Sequence, residues 1–148
     1  MIFLFFALVF TFLFGIVQVR DEQMVPAVKE GDLAIYYRLD KNYRKGDVIV
    51  LDDNGEKQVR RVIAVAGDTV DITADGLVIN GYIQQESDIY TDTEPYVSGI
   101  TFPLTVDEGQ VFVLADSRPN AEDSRLYGAV AVDGTHGKVI TLIRRRGM

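Results

Sequence analysis

The sequence predicts a mainly β protein whose antiparallel sheets form a folded-over, barrel-like body behind one N-terminal transmembrane helix. Three observations support this fold class. The chain opens on an uncharged apolar run, and the remainder consists of short β-branched segments separated by Gly, Asn and Asp turn signals. No sustained helical period follows the first run. Such a succession of strands and tight turns is typical of antiparallel sheets and small barrels.

The first predicted element is a membrane anchor over residues 1–19. Residues 1–17 carry no charge and are rich in Phe, Leu, Ile and Val, and Arg20 ends the run. Spanning a bilayer takes roughly 20 apolar residues, so this run is near the lower limit. A cleaved secretory signal and a buried core helix are the alternatives, but neither a basic start nor a small-x-small cleavage site is clear here. The acidic residues after the run weakly favour a single-pass cell-membrane protein with residues 20–148 outside the cell.

Glycine-containing turns mark the strands of the body. The pair Asn54-Gly55 separates two strand-like runs and is a strong hairpin signal. Asp75-Gly76 predicts a second hairpin, and Asn80-Gly81 leads into a short strand. The predicted strands cover residues 47–51, 58–65, 70–72, 77–79, 82–83, 110–114 and 138–143.

Two polar segments interrupt this pattern. Residues 84–105 are expected to form a long loop or a loosely packed insertion. The basic run over residues 144–146 is expected to be a solvated tail, with a lipid-headgroup contact as the alternative.

Composition excludes several classes of function. The formal net charge of -7 argues against a nucleic-acid partner, which would need a basic face. The chain has no cysteine and one histidine, which excludes disulfides, Cys-ligated metals and a multi-His metal site. We therefore expect no metal and no cofactor.

Four blocks of residues, spread over most of the predicted body, resemble the conserved boxes of bacterial type I signal peptidases. The family's boxes are Ser-Met-x-Pro-Thr, Arg-Gly-Asp-Ile-Val-Val, Lys-Arg-Val-Ile-Gly-x-Pro-Gly-Asp and Phe-x-x-Gly-Asn/Asp-Asn-Arg-x-x-Ser-x-Asp-Ser-Arg. Any one block alone would be a weak signal, but an apolar anchor followed by all four in order is a specific one. The matching blocks are QMVPA at 23–27, RKGDVIV at 44–50, RRVIAVAGD at 60–68 with LVING at 77–81, and FVLADSRPNAEDSR at 112–125.

This resemblance implies the signal peptidase fold and acyl transfer by a serine that a desolvated lysine activates. The serine's place is taken by Gln23, whose amide has no ionisable O–H or S–H. The lysine's place is taken by Arg60, and an arginine guanidinium stays protonated because its pKa exceeds about 12. The sequence therefore predicts a pseudo-peptidase that lacks the Ser/Lys pair.

Two supporting positions of the family are also changed. Asp21 replaces a Ser or Gly beside the oxyanion, where a carboxylate would repel developing negative charge. Ala121 replaces a serine that orients the lysine in active members. We expect the retained residues of the fourth box to be structural, with an ion pair beneath the old site, and those of the first box to line the peptide-binding cleft or merely to pack under the anchor. The structural set is Asp116, Arg118, Asp123 and Arg125, and the cleft set is Met24, Val25 and Pro26.

Three functions remain open. The resemblance extends to a branch of short signal-peptidase-like proteins that lack the Ser/Lys pair and serve in pilus assembly of Gram-positive bacteria. It implies a chaperone or accessory factor that binds pilin subunits or a class C sortase at the membrane. An active peptidase with a displaced nucleophile, Ser117 or Ser124, is the alternative. The third possibility is a structural membrane protein that docks a neighbouring subunit.

Overall fold

The structure, a computed structural model, describes residues 1–144 and is mainly β. One helix, α1, precedes the strands, and a one-turn helix, α2, follows the ninth strand. The helices cover Ile2–Leu13 (α1) and Ser124–Tyr127 (α2). The strands are β1 (Phe14–Gln18), β2 (Leu33–Tyr37), β3 (Val48–Asp53), β4 (Glu56–Val65), β5 (Thr69–Thr73), β6 (Gly76–Ile79), β7 (Tyr82–Ile83), β8 (Leu104–Thr105), β9 (Gln110–Leu114), β10 (Val130–Ala131) and β11 (Gly137–Ile143).

In the described residues the strands form two sheets whose neighbouring strands are all antiparallel, as predicted. The larger sheet has the order β1-β2-β11-β3-β4-β9-β10, and the smaller one has the order β7-β6-β5-β8. Closing a sheet into a barrel requires its first and last strands to pair. In the part of the chain that the structure describes, β1 and β10 lie at opposite ends of the larger sheet, so the predicted barrel-like closure is wrong.

The apolar N-terminal run is divided between a helix and a strand. Helix α1 ends at Leu13, and β1 then pairs with β2 from Phe14 opposite Tyr37 to Gln18 opposite Leu33. This pairing shortens the helix that we expected over residues 1–19. No residue of α1 is buried. Among the described helices, none combines the length and the apolarity needed to cross a bilayer.

A glycine allows the beginning of the sheet to pack closely. Gly15 lies in β1 against the ring of Tyr36, and a Cβ atom at this position would overlap that ring. Tyr36 itself is fully buried. The close approach explains why this position is a glycine, since a bulkier residue would push β1 away from β2.

The predicted hairpins are confirmed. Strands β3 and β4 pair from Val48 opposite Arg61 to Asp53 opposite Glu56. Asn54 and Gly55 join them with φ angles of 51° and 83°, the left-handed conformations that a two-residue type I′ turn requires. Strands β5 and β6 form the second hairpin. Strand β4 pairs with β3 from Glu56 to Arg61 but with β9 only from Arg61 onward. The half of β4 next to the turn therefore has no β9 partner.

Three apolar clusters stabilise the two sheets. Adjacent residues of β3 point to opposite faces of the larger sheet, so Val50 packs in one cluster and Ile49 in another. The third cluster combines Phe112 of β9 with Val70 of β5 and thus joins the two sheets. The segment 84–105 is a loop that ends in β8, which pairs with β5.

A buried carboxylate holds the end of the described chain. Asp32 accepts hydrogen bonds from Nε and Nη2 of Arg144, with the shortest distance 2.8 Å, and from the backbone N–H of Lys29 at 2.9 Å. Arg144 is therefore ion-paired, although its side chain is 45% exposed. Arg145 and Arg146, the rest of the expected solvated tail, lie outside the described residues. The hydrogen bonds from Arg144 hold the pKa of Asp32 below its usual value, although burial opposes them.

This ion pair predicts a change of stability with pH. The pKa of Asp32 is lower in the folded chain than its value of about 3.9 in an unfolded one. The ion pair therefore contributes fully to the free energy of unfolding above about pH 3.9. The contribution is lost as the pH falls through the folded-state pKa. We expect Asp32→Asn to lower the free energy of unfolding at neutral pH, and the difference from the wild type to shrink below about pH 4. Chemical denaturation across the pH range would measure it. Glu30→Gln, at an exposed neighbour, is the control, and a difference independent of pH would contradict the prediction.

Candidate functional site

The two residues that the sequence analysis assigned to the family's nucleophile and base positions lie together. Gln23 belongs to the turn that follows β1, and Arg60 lies in the middle of β4. Gln23 Oε1 accepts a hydrogen bond from Arg60 Nη2 at 2.5 Å. Asp21 completes the group, because its Oδ1 accepts from the Gln23 N–H at 3.0 Å and its Oδ2 lies 3.5 Å from Arg60 Nη2. The segment that follows β1 and strand β4 thus bring together three positions that the sequence analysis singled out.

The guanidinium of Arg60 is enclosed by acceptors. Its side chain is completely buried, and Asp21, with a side chain about one-third exposed, is its carboxylate partner. Nε donates to the carbonyl oxygen of Glu122 at 2.8 Å, and Nη1 donates to that of Val59 at 2.6 Å. A buried charge is tolerated only when it is paired and hydrogen-bonded, and these contacts meet that condition.

Gln23 is also fixed by the segment 115–122 that follows β9. The backbone N–H of Glu122 donates to Gln23 Oε1 at 2.8 Å, and the backbone N–H of Ser117 donates to the carbonyl oxygen of Gln23 at 2.8 Å. The amide oxygen of Gln23 therefore accepts two hydrogen bonds, one of them from a cation. The arrangement offers hydrogen-bond donors and acceptors, but a glutamine amide has no ionisable proton with which to attack a carbonyl.

A cleft of about 550 Å³ opens beside these residues. Strand β1 borders it on one side and the turn between β3 and β4 on the other. Its lining includes Asp21 and Gln23 together with residues of β1, of that turn and of β4. The other lining residues are Ile16, Val17, Gln18, Arg20, Gly55, Glu56, Lys57, Gln58 and Glu122.

The three residues of the first box that we expected to line the peptide-binding cleft, or to pack under the anchor, do not border this cleft. Met24 is fully buried in a core cluster, where its sulfur accepts from the backbone N–H of Asp116 at 3.4 Å. Val25 is half-buried and Pro26 is exposed, and neither borders the cleft. The residues of this part of the chain that do border it are Asp21 and Gln23.

Two carboxylates of the fourth box are paired with arginines. Asp116 binds Arg61 through two hydrogen bonds, at 2.8 and 2.7 Å, and these bonds raise the pKa of Arg61 against the effect of burial. Asp123 and Arg125 form a fully buried ion pair at 2.8 Å. Ala121, at the position of the family's orienting serine, is buried in a core cluster.

The hydroxyl groups near the site differ in accessibility. Ser124 is completely buried, and its Oγ accepts from the backbone N–H of Val113 at 2.9 Å. Ser117 is half-buried and contacts Gln23 through its backbone. His136 lies away from this site, with its Nε2 atom 2.9 Å from Asp52 Oδ2.

Two residues of the site were missed by the sequence analysis. Glu122 contacts both Gln23 and Arg60 through its backbone, and Gln58 Nε2 donates to its carboxylate at 3.1 Å. Gln58 could have been found, because residues two apart in a strand share one face and Arg60 is two residues further along β4. Glu122 acts mainly through its main chain, so its side-chain type carried no signal.

The chain that carries this site is similar to known proteins. A family model described as "Signal peptidase, peptidase S26" matches residues 1–143. The chain is 31% identical to signal peptidase I P of Bacillus subtilis subsp. natto over 131 residues, which cover 80% of this chain and 70% of that protein. It is 30% identical to signal peptidase IB of Staphylococcus aureus (strain N315), with coverages of 82% and 73%. The crystal structure of a signal peptidase I from Enterococcus faecalis V583 shares 31% identity and a TM-score of 0.55, covering 67% of this chain and 97% of that one.

Proposed function

Because the chain belongs to the signal peptidase S26 family and has its mainly β, antiparallel fold, we propose that it is a non-catalytic member that binds an extended peptide without cleaving it. The observation that carries this proposal is the hydrogen bond of 2.5 Å between Gln23 and the buried guanidinium of Arg60. These residues stand where the family's boxes have the attacking serine and the basic lysine. Neither side chain can take the missing role, since one lacks an ionisable proton and the other does not give one up.

The border of the cleft supports peptide binding. Strand β1 is the outermost strand of the larger sheet, and three of its residues line the cleft. An edge strand can pair with an extended peptide through backbone hydrogen bonds, which requires no catalytic group. Ile16 in this strand is about half exposed and offers an apolar contact to a side chain of the bound segment.

The surface of the N-terminal region supports a position at a membrane. Every residue of α1 except Leu13 is exposed, and the outward face of β1 and β2 continues this apolar surface through Phe14 and Tyr37. The rings of Phe10 and Phe14 lie 5.0 Å apart, and those of Phe14 and Tyr37 lie 5.4 Å apart. Exposed apolar patches of this kind mark contact sites for lipid or protein. We propose that α1 contacts lipid and that the β body lies outside the cell.

The partner that we propose is a pilin subunit or a class C sortase. This part rests on the resemblance to signal-peptidase-like pilus assembly proteins, in which the reactive pair is lost and the framework is kept. Deleting the gene is expected to abolish or shorten polymerised pili, and re-expression of the wild-type chain should restore them. Unchanged pili in the deletion strain would exclude this assignment.

Binding without cleavage is tested on the purified full chain in detergent. Fluorescence anisotropy with a labelled peptide from a pilin signal or sorting segment should show saturable binding, and mass spectrometry of the same mixture should show intact peptide. A peptide of the same composition in scrambled order is the control. Equal affinity for both peptides would refute sequence-dependent binding. If a folded pilin or sortase bound while no peptide did, a purely structural docking role would replace our proposal.

A further inference from the structure

A buried arginine links the polar loop to the site. The side chain of Arg118 is completely buried, and its carboxylate partner is Glu86, from the loop that precedes β8. Nη1 and Nη2 donate to the two oxygens of Glu86 at 2.9 and 2.6 Å, and Nη1 also donates to Thr93 Oγ1 at 2.6 Å. Two parallel hydrogen bonds of this kind fix both the distance and the orientation of a guanidinium.

The same arginine belongs to the segment that holds Gln23. Arg118 Nε donates to the carbonyl oxygen of Ala115 at 2.6 Å, which braces the segment 115–122 from within. That segment supplies the backbone N–H groups of Ser117 and Glu122 that bind Gln23, and the carbonyl oxygen of Glu122 that binds Arg60. Any displacement of the segment therefore changes the hydrogen bonds of the site.

Further contacts from the loop reach the same segment. The backbone N–H of Arg118 donates to Thr91 Oγ1 at 2.9 Å, and Tyr96 Oη donates to the carbonyl oxygen of Ala121 at 2.6 Å. The loop thus contacts both halves of the segment 115–122. Of the side chains that bind the Arg118 guanidinium in the described part of the chain, Glu86 is the charged one.

We propose that Glu86 is a positioning residue for the peptide-binding cleft, because through Arg118 it fixes the segment whose backbone holds Gln23. Removing the carboxylate leaves a buried cation without an opposite charge, which is strongly unfavourable. The guanidinium then moves toward water and takes the segment with it. The hydrogen bonds at Ser117 and Glu122 lengthen, and the wall of the cleft loosens. The consequence for peptide affinity rests on the proposed function, but the local loosening does not.

Amide hydrogen exchange on the full chain in detergent, followed residue by residue by NMR, tests the proposal. In Glu86→Gln, which keeps the shape of the side chain, we expect exchange at the N–H groups of Ser117 and Glu122 to rise about ten-fold or more, while the β3–β4 ladder keeps its protection. Glu94→Gln is the matched control, since it removes a charge from the same loop at an exposed side chain that makes no hydrogen bond within the described residues. Glu86→Asp keeps the charge but shortens the side chain that binds both Arg118 nitrogens, so we expect a smaller rise at the same two N–H groups. This variant decides the question if Glu86→Gln does not fold.

The outcomes separate positioning from general stability. Exchange in Glu86→Gln that matches Glu94→Gln, or that rises equally throughout the β3–β4 ladder, would overturn the positioning role. We also expect peptide affinity to fall several-fold in Glu86→Gln but not in Glu94→Gln. Unchanged affinity despite local loosening would overturn the link to the cleft. If the wild-type chain bound no peptide, the proposed function would fail while the exchange result still decided the role of Glu86.

Discussion

The full chain with the two substitutions Gln23→Ser and Arg60→Lys is expected to cleave a preprotein that the wild-type chain leaves intact. Serine supplies the attacking hydroxyl, and a lysine at the completely buried position of Arg60 can lose its proton because burial disfavours the charged form. A nucleophile and its base act as a unit that raises the rate by several orders of magnitude. Cleavage by the double variant should therefore be detectable, since the wild-type chain is expected to cleave nothing. Gel analysis of preprotein cleavage in the same membranes would measure it.

Asp21 should limit this gain. Its Oδ2 lies 3.5 Å from Nη2 of Arg60, and a carboxylate at that distance would stabilise the protonated form of a lysine placed there. We therefore expect a third substitution, Asp21→Gly, to raise the rate about ten-fold further, the effect of lowering the lysine pKa by one unit. Ala121→Ser would add the serine that orients the lysine in active members of the family.

The control for both variants is a double variant with Gln23→Ala and Arg60→Lys. It has the base without the nucleophile and should not cleave the preprotein. Cleavage by the wild-type chain would contradict our central interpretation of Gln23 and Arg60. Ser117→Ala and Ser124→Ala would then locate the nucleophile. Ser117 is the more accessible of the two, because Ser124 is completely buried and its hydroxyl already accepts a backbone hydrogen bond.

Breaking the buried pair of Asp123 and Arg125 is expected to destabilise the fold by about 3–5 kcal/mol, the usual cost of leaving one buried charge without its partner. Asp123 accepts three hydrogen bonds from Arg125 and one from the backbone N–H of Ala115 at 3.0 Å. Arg125 also stacks over the ring of Tyr96 at 4.6 Å. Asp123→Ala and Arg125→Ala should each lower the denaturant midpoint of the full chain in detergent at an unchanged slope.

Lys138→Ala is the comparison for this experiment. Lys138 pairs with Asp47 at 3.0 Å, but its side chain is 43% exposed, and pairs of this kind contribute about 0–1 kcal/mol. If both substitutions of the buried pair cost no more than Lys138→Ala, the structural role that we assign to Asp123 and Arg125 would be wrong.

Much of the fold could be predicted because its signals are local. Asn54 and Gly55 adopt the left-handed conformations that a tight hairpin needs, and few other residue pairs do so readily. The strands were recognisable from β-branched runs between such turns. Residues 14–18 were predicted to continue the helix but form β1. An uncharged apolar run does not by itself show whether it continues as a helix or pairs as a strand.

The candidate site was predictable where side-chain chemistry is specific. Gln23, Arg60 and Asp21 were singled out by their places in family boxes, and the structure brings them together. Glu122 and Glu86 were not, since one contacts the site through its main chain and the other lies in a polar loop without any motif. Met24 was expected to line the cleft or to pack under the anchor, and its side chain is buried in the core.

The sequence by itself determined the family and the antiparallel β class, and it predicted which residues stand at the reactive positions, because these depend on residue types and on short spacings along the chain. Only the tertiary structure decided how those residues interact. It brings Gln23 into contact with Arg60, 37 residues away in the sequence, and Arg118 into contact with Glu86, 32 residues away. Such contacts depend on how distant strands and loops fold against one another, and no local pattern records that arrangement.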